Sequence, residues 1–227
     1  MGLIHVIGGG LAGPEAAWQA ARLGHRVVVH EMRPLVATPV HRSGRFGELV
    51  CSNSFKSEQP DTAPWLLKEE LRRLGSLLAG AAAEARVPGG HALTVDREVF
   101  ADRVTRAIES RPEIEIRREE VAEIPTDRIT IVATGPLTSD ALAAAIVRLT
   151  GSERLFFYDA ISPIVEADSI DYAVTFRASR YGKSLDGTAD YLNCPFTRDQ
   201  YERFYQALAA AEPAAGHEFE KTPFFEA

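Results

Sequence analysis

Short apolar runs alternate with longer amphipathic stretches along the first part of the chain. The runs Leu3–Ile7 and Val27–Val29 are too short to be helices, so they predict buried strands. The residues between them, from Glu15 to Leu23, have a helical composition. The pattern therefore predicts a strand, a turn, a helix and a second strand, which is the opening unit of a parallel sheet.

Helical and strand patterns continue to alternate beyond this unit. Helices are predicted over residues 63–78, from Thr94 to Ile108 with Asp96 as the N-cap, after Thr138–Asp140, and after Thr197. Strands are predicted at residues 114–116, 121–124, 129–133, 155–160, 164–165 and 171–177. This order of elements is typical of an α/β protein with a doubly wound or three-layer sheet.

A glycine motif lies in the first turn, between the first strand and the first helix. Gly8 suits a tight turn, Gly10 lets the backbone approach a pyrophosphate, and Gly13 lets the helix pack close to the strand. The diphosphate would lie at the N-terminus of the helix. Glu31 closes the second strand, where a carboxylate binds ribose hydroxyls and repels a 2′-phosphate, which favours FAD or NAD over NADP at this site.

A second stretch distinguishes between these two dinucleotides. Ala133-Thr134-Gly135 ends a buried-type strand, as in flavoproteins whose chain returns to the flavin site, and this favours FAD. The alternative is a central parallel strand that ends in a purely structural glycine. The candidate cofactor-binding residues are Gly8, Gly9, Gly10, Leu11, Ala12, Gly13, Glu31, Arg33, Thr134 and Gly135.

Composition and charge narrow the classes of function. A net charge of −7 argues against a globally basic nucleic-acid binder, although basic residues cluster locally. These clusters are either solvated loops or contacts to a phosphate backbone, and the candidates for such phosphate contacts are Arg42, Arg45, Lys56, Arg180 and Lys183. No apolar stretch is long enough to cross a bilayer and no targeting segment is evident, so we expect a cytoplasmic protein without a membrane partner.

Cys51 and Cys194 are the two cysteines of the chain, and neither lies in a metal-binding or disulfide pattern. Cys51 stands between an apolar pair and a Ser-Asn-Ser turn, with Lys56 nearby. Such a thiol is either a nucleophile or base activated by cationic neighbours, or a small buried hydrophobic residue. Cys194 precedes Pro195 and is expected to serve packing.

Seven blocks of the sequence resemble the folate- and FAD-dependent tRNA uracil-5-methyltransferases, the TrmFO family. The Leu-Val-Cys-Ser-Asn-Ser and Asn-Cys-Pro blocks are far more specific than the glycine motif. The blocks cover residues 7–16, 31–34, 48–54, 67–70, 157–161, 191–195 and 219–226. The resemblance implies a Rossmann-like, FAD-binding three-layer domain over residues 1–155 and, over residues 156–227, the start of an inserted α+β domain that binds tRNA and folate.

The resemblance also implies a reaction. Methylenetetrahydrofolate gives a one-carbon unit, reduced FAD supplies reducing equivalents, NAD(P)H reduces the flavin, and the T-loop uridine of tRNA is methylated at C5. In the family, the cysteine matching Cys51 lies in the flavin site and takes part in catalysis. A second family cysteine, proposed to attack the uracil ring, follows the Phe-Phe-Glu motif. The sequence stops at Ala227 before that position, so we expect the N-terminal half of a family member, with weakened FAD binding and doubtful activity on its own.

Two other functions fit the same residues. One is the related class of flavoproteins that modifies the wobble uridine of tRNA with a partner subunit; it shares the glycine motif but is not expected to carry Leu-Val-Cys-Ser-Asn-Ser. The other is a non-catalytic fragment that binds a nucleotide, or a partner through an apolar surface at Phe224 and Phe225. Incorporation of a methyl group into uracil would distinguish the methyltransferase from the wobble-uridine class. Binding without turnover would identify the non-catalytic fragment.

Overall fold

The computed structural model describes residues 2–151 and 165–212. Its strands are β1 (Leu3–Ile7), β2 (Arg26–Glu31), β3 (Ser54–Ser57), β4 (Arg86–Val87), β5 (Ala92–Val95), β6 (Ile114–Arg118), β7 (Ile129–Val132), β8 (Phe176–Ala178) and β9 (Tyr191–Asn193). Its α-helices are α1 (Ala12–Arg22), α2 (Ala63–Arg73), α3 (Leu77–Glu84), α4 (Arg97–Glu109), α5 (Asp140–Thr150) and α6 (Arg198–Ala210). The predicted strand, turn, helix and strand at the start of the chain are confirmed.

Four parallel strands form the main sheet in the order β6-β2-β1-β7. Counted along the chain as parallel strands, this is the order 3-2-1-4 of a Rossmann fold, in which the strand order reverses beside the first strand. The expected Rossmann-like α/β class is therefore confirmed. Two small antiparallel sheets, β3-β5-β4 and β8-β9, lie outside this one.

The two faces of the main sheet differ in chemistry. One face carries Val6, Val27 and Val29, which are fully buried in a core that includes Phe100 and Val104 of α4. The alternate residues of β1 and β2 point to the other face because strand side chains alternate. There the rings of His5 and His30 stack with centroids 5.2 Å apart, and His5 Nδ1 lies 2.9 Å from His30 Nε2.

Two predictions of local structure were wrong, and a third was right only in part. The helix predicted over 63–78 is two helices, because the chain turns at Gly75 with a φ of +69°. Arg22 of α1 donates hydrogen bonds to the carbonyl oxygens of Leu74 and Gly75 and so stabilises this turn. Residues 121–124 form no strand, since no neighbouring strand pairs with them in the described sheets. Of residues 171–177 only Phe176 and Arg177 lie in a strand, β8, because residues 172–174 form a turn in which Asp171 Oδ1 accepts a hydrogen bond from the backbone of Ala173.

The predicted helix starts after Asp96, Thr138–Asp140 and Thr197 are confirmed. Asp96 accepts hydrogen bonds from two backbone N–H groups of α4, Ser139 caps α5, and Thr197 forms a capping box with Gln200. The predicted strand at 155–160, the first part of that at 164–165, the proposed domain boundary and the Phe224–Phe225 pair lie outside the described residues. Among the described residues, no helix has the length and apolar character needed to span a membrane.

Candidate functional site

A cavity of about 710 Å³ opens at the carboxyl ends of β1, β2 and β7. Its size falls within the range of ligand pockets, roughly 300 to 1,000 Å³, and its place beside the reversal of strand order is where Rossmann folds bind dinucleotides. The predicted site residues on its wall are Gly8, Gly9, Gly10, Leu11, Ala12, Glu31, Arg33, Cys51, Thr134 and Gly135. The structure therefore brings most of the predicted cofactor residues together with Cys51.

The three motif glycines have distinct surroundings. A Cβ on Gly8 would lie 2.6 Å from the carbonyl oxygen of Ala133, and Gly8 has a φ of +111°. A Cβ on Gly13 would lie 1.8 Å from the carbonyl oxygen of Gly8, so Gly13 packs beneath the turn and is absent from the cavity wall. A Cβ on Gly10, in contrast, would meet nothing within 4 Å. Gly8 and Gly13 thus serve the fold, whereas Gly10 leaves open space at the cavity.

The N-terminus of α1 opens into the same cavity. Leu11 is the N-cap residue of α1, and no side chain caps the helix there. Leu11 and Ala12 line the cavity and are exposed. Uncapped N–H groups and the positive end of the helix dipole attract anions, so this end of the cavity suits a phosphate group.

Glu31 lies at the end of β2 and is only 4% exposed. Its Oε2 accepts a hydrogen bond from the backbone of Gly9 at 2.6 Å, and its Oε1 accepts from the backbone and Nε of Arg33 at 2.8 and 2.9 Å. Burial by itself raises the pKa of this carboxyl, but the hydrogen bonds from Arg33 and Gly9 outweigh burial and lower it. Glu31 is therefore an ionised acceptor at the cavity wall.

Arg33 connects Glu31 to the loop that carries Cys51. Its Nη1 donates to Glu48 Oε2 at 3.2 Å, while its side chain is 4% exposed. Glu48 also accepts hydrogen bonds from the backbone N–H groups of Arg42 and Ser43, at 2.7 and 3.1 Å. Although burial opposes it, these bonds lower the pKa of Glu48. The guanidinium of Arg33 thus lies between two carboxylates at the cavity wall and holds both in place.

Cys51 is exposed on the cavity wall, three residues after Glu48. Its carbonyl oxygen accepts a hydrogen bond from Nη2 of Arg97, the first residue of α4, at 3.2 Å. Thr134 and Gly135 line the same cavity, and the backbone N–H of Ala133 donates to the carbonyl of Ile7 at 2.8 Å. The second predicted stretch therefore does return to the glycine turn.

The five basic residues predicted for tRNA are all exposed and lie away from the cavity wall. They are Arg42, Arg45, Lys56, Arg180 and Lys183. Within residues 2–151 and 165–212, no hydrogen bond or ion pair joins the first three to the last two. Their position leaves them accessible to a large polyanion, which stays a prediction.

Sequence reasoning missed several titratable residues at the cavity. His41 lines it, and Thr38 Oγ1 lies 2.6 Å from His41 Nδ1. Burial, followed by the nearby charge of Arg33, lowers the pKa of His41. His30 and Glu119 also line the cavity, with His30 Nδ1 at 2.8 Å from Glu119 Oε1. No local pattern marks these residues, because strand register and loop folding bring them to the wall.

Comparison with known proteins identifies the family. The family described as Glucose inhibited division protein A matches residues 3–227. A methylenetetrahydrofolate–tRNA-(uracil-5-)-methyltransferase TrmFO from Solibacter usitatus is 61% identical over 225 residues, which cover 99% of this chain and 51% of that protein. The TrmFO of Syntrophomonas wolfei is 58% identical over 224 residues, with the same coverage of 99% and 51%.

The chain spans about half the length of the curated relatives that it matches. A solved structure of GidA from Aquifex aeolicus is similar with a TM-score of 0.47 and 20% identity, over 59% of this chain and 25% of that chain. The resemblance to the TrmFO proteins, expected from the sequence blocks, is confirmed across nearly the whole chain. With a match from residue 3 to residue 227, this chain belongs to the Glucose inhibited division protein A family.

Proposed function

We propose that this chain provides the FAD site of a cytoplasmic tRNA methyltransferase. The full-length protein would methylate C5 of the T-loop uridine, with methylenetetrahydrofolate as the one-carbon donor and NAD(P)H as the reductant. The observation that carries the proposal is the shared cavity wall of Gly10, the uncapped N-terminus of α1, and Cys51. A dinucleotide site and a thiol on one wall are what a flavin-dependent transfer reaction needs.

The residues present fit FAD. The N-terminus of α1 would hold the diphosphate, and the open space at Gly10 would let it approach the backbone. Glu31 would accept hydrogen bonds from ribose hydroxyls, because Arg33 and Gly9 keep it ionised. Its negative charge disfavours a 2′-phosphate in this position. When bound and reduced by NAD(P)H, FAD would supply the reducing equivalents that convert a transferred methylene group into a methyl group.

Cys51 would act at the reacting end of the cavity. Cys51 is exposed and lines the wall, and a thiolate is a good nucleophile that can also accept a proton. Two sets of contacts position Cys51. Glu48, three residues earlier, is fixed by hydrogen bonds from Arg33 and from the backbone of Arg42, and Arg97 donates a hydrogen bond to the carbonyl oxygen of Cys51. The neutral imidazole of His41, favoured by its lowered pKa, is a second proton acceptor on the same wall.

The nucleic-acid substrate would lie outside the cavity. Arg42, Arg45 and Lys56 on one segment and Arg180 and Lys183 on another offer exposed positive charges for phosphate contacts. Because the net charge is −7, binding would depend on these local groups and weaken steeply with salt. The slope of affinity against salt in the full-length protein, before and after replacing Arg42 and Arg45 by Gln, would measure their contribution.

The test uses both the 227-residue chain and the full-length protein. FAD is added to each, excess is removed by gel filtration, and the visible flavin band is recorded. The full-length wild type, Cys51→Ser and Cys194→Ser then receive unmodified tRNA, labelled methylenetetrahydrofolate and NAD(P)H. We expect Cys51→Ser to keep its flavin but lose methylation on the order of a hundredfold or more, and Cys194→Ser to stay active. Full activity of Cys51→Ser, a colourless full-length protein, or label at the wobble uridine would overturn the proposal.

A further inference from the structure

The segment that leads to Cys51 lies along helix α4. The backbone N–H of Phe46 donates to Thr105 Oγ1 at 2.9 Å, and the carbonyl of Cys51 accepts from Arg97 Nη2 at 3.2 Å. Residues 97 and 105 are separated along a helix by about 12 Å, at 1.5 Å per residue. The segment is therefore attached to α4 at two points, one on each side of Glu48.

The residues that follow Cys51 are attached as well. The backbone N–H of Val95 donates to the carbonyl of Asn53 at 3.0 Å, and Asn53 Nδ2 donates to the carbonyl of Val95 at 3.0 Å. Val95 is fully buried at the end of β5, just before α4 begins. The main chain around Cys51 is thus fixed to β5 and α4, whereas its side chain is exposed at the cavity wall.

Arg97 differs from the other arginines of α4 in what it contacts. Arg103 pairs with Glu84, and Arg106 pairs with Asp102. Within residues 2–151 and 165–212, Arg97 forms no ion pair, and its hydrogen bond goes to the main chain of Cys51. The neighbouring carboxylate of Asp96 is engaged by the backbone N–H groups at the start of α4. The positive charge of Arg97 therefore acts beside Cys51 without a carboxylate partner in the described part of the chain.

From these contacts we infer that Arg97 is a positioning residue for Cys51. Its guanidinium fixes the main chain of the cysteine through the carbonyl oxygen and so keeps a positive charge next to the residue that carries the thiol. The importance of this contact for catalysis rests on the proposed function. The charge of Arg97 and its hydrogen bond to Cys51 do not depend on it. An anion that approaches Cys51 should be attracted by this charge.

The test is a competition between two alkylating reagents on the full 227-residue chain. Iodoacetate is anionic and iodoacetamide is neutral, and both transfer their carbon to the thiolate with loss of iodide. Peptide mass spectrometry reports the two products at Cys51, with Cys194 as an internal reference. In Arg97→Met the ratio of anionic to neutral product at Cys51 should fall about three- to fivefold at low salt, as expected when one charge that contacts the main chain of the alkylated residue is removed, and the effect should shrink at high salt.

Matched variants separate this role from a general loss of structure. Arg103→Met removes a charge from the same helix and should leave the ratio at Cys51 unchanged. Arg97→Lys keeps the charge and should preserve most of the preference for iodoacetate. A variant that does not melt cooperatively is not properly folded. If Arg97→Met fails in this way, the alkylation ratio is measured in Arg97→Gln instead, because glutamine keeps a hydrogen-bond donor and removes only the charge. An unchanged ratio in the folded charge-free variant would overturn the inference.

Activity of the full-length protein provides the second readout. A positioning role predicts that Arg97→Met lowers kcat for methylation with an unchanged KM for tRNA and unchanged flavin content, and that Arg97→Lys partly restores kcat. Equal kcat in Arg97→Met and the wild type would contradict it. Failure of the wild type to bind FAD would overturn the proposed function and leave the alkylation result standing, so the two failures can be told apart.

Discussion

The carbonyl oxygen of Gly8 occupies the space where Gly13 would carry a side chain. A Cβ on Gly13 would lie 1.8 Å from that oxygen, far inside any tolerable contact. The close approach brings the first turn of α1 against the end of β1. The requirement for glycine at position 13 is therefore structural, although the residue belongs to a motif associated with nucleotide binding.

Replacing Gly10 and Gly13 by alanine should give opposite results. Gly13→Ala should destabilise the fold by about 3 kcal/mol or more, because the backbone of Gly8 cannot move away cheaply. Gly10→Ala should leave stability within about 0.5 kcal/mol of the wild type but lower FAD affinity on the order of tenfold or more, since the new methyl group fills the approach path of the diphosphate. Urea denaturation and flavin titration measure the two effects.

Gly80→Ala is the control for this pair. Gly80 lies inside α3, and a Cβ there would meet nothing within 4 Å. Its replacement should raise stability by about 0.5 to 1 kcal/mol and leave FAD affinity unchanged. Normal FAD affinity in Gly10→Ala would show that the diphosphate lies elsewhere.

The buried contact between Glu31 and Arg33 should dominate the sensitivity of this site to mutation. Arg33→Met leaves a buried carboxylate without its guanidinium and should destabilise the protein by about 3 to 5 kcal/mol. Arg33→Lys should also be costly, because an ammonium cannot replace a guanidinium that contacts both Glu31 and Glu48. Arg103→Met, which breaks an exposed pair, should change stability by less than about 1 kcal/mol. Chemical denaturation at neutral pH compares the three variants.

The same carboxylates should make the protein sensitive to acid. The pKa values of Glu31 and Glu48 lie below the ordinary value of 4.5 in the folded state. Their stabilising contribution is therefore fully present above about pH 4.5 and is lost as the pH falls through the lowered values. Denaturation midpoints measured over this range should fall steeply in the wild type and less steeply in Glu48→Gln. If the midpoints of the wild type and of Glu48→Gln fell equally steeply with pH, the acid sensitivity could not be attributed to Glu48.

His5 should add a second dependence on pH at milder acidity. Burial, together with the charges of His30, Arg128 and Arg117, lowers the pKa of His5 below 6.5. The unfolded chain then binds a proton more readily than the folded protein, so stability should decrease as the pH is lowered from above 6.5 towards the lowered pKa. His5→Leu should flatten the curve in this window. An NMR titration of the His5 ring checks the direction of the shift directly.

Glu15 should stabilise the start of a different helix from its own. Its Oε2 accepts hydrogen bonds from Ser76 Oγ at 2.8 Å and from the backbone N–H of Leu78 at 3.0 Å, at the N-terminus of α3. Glu15→Ala should cost about 1 to 2 kcal/mol, and Glu15→Gln less, because an amide oxygen can still accept these bonds. Equal stability of Glu15→Ala and the wild type in thermal melts would exclude this capping role.

Much of the fold could be predicted because its signals are local. The strand patterns around the glycine motif, and the caps Asp96, Ser139 and Thr197, act within a few residues of themselves. The break at Gly75 also has local signals, since Gly75 has a φ of +69° and Ser76 caps α3, but the apolar spacing continues across it. The further support from Arg22 of a distant helix is not visible in any local pattern. A continuous helical pattern therefore covers two helices.

For the site, too, local signals could be read from the sequence and long-range contacts could not. The glycine motif, Glu31 and Cys51 could be found because each lies in a short recognisable block. Their partners could not: Arg97 and Cys51 are 46 positions apart, and His5 and His30 are 25 apart. Strand register and the course of the Cys51 segment along α4 bring these pairs together, and no periodicity in the sequence encodes either one.

The attachment of this segment at Phe46 and Cys51 also constrains how the protein can vary. The helix fixes the distance between Thr105 and Arg97, so the stretch between the two attached residues has one workable length. Adding or deleting a residue there would detach one end or shift the thiol out of the cavity, whereas exchanging side chains would not. Engineers who diversify this loop should therefore vary its residues and preserve its count, and natural insertions should be found elsewhere.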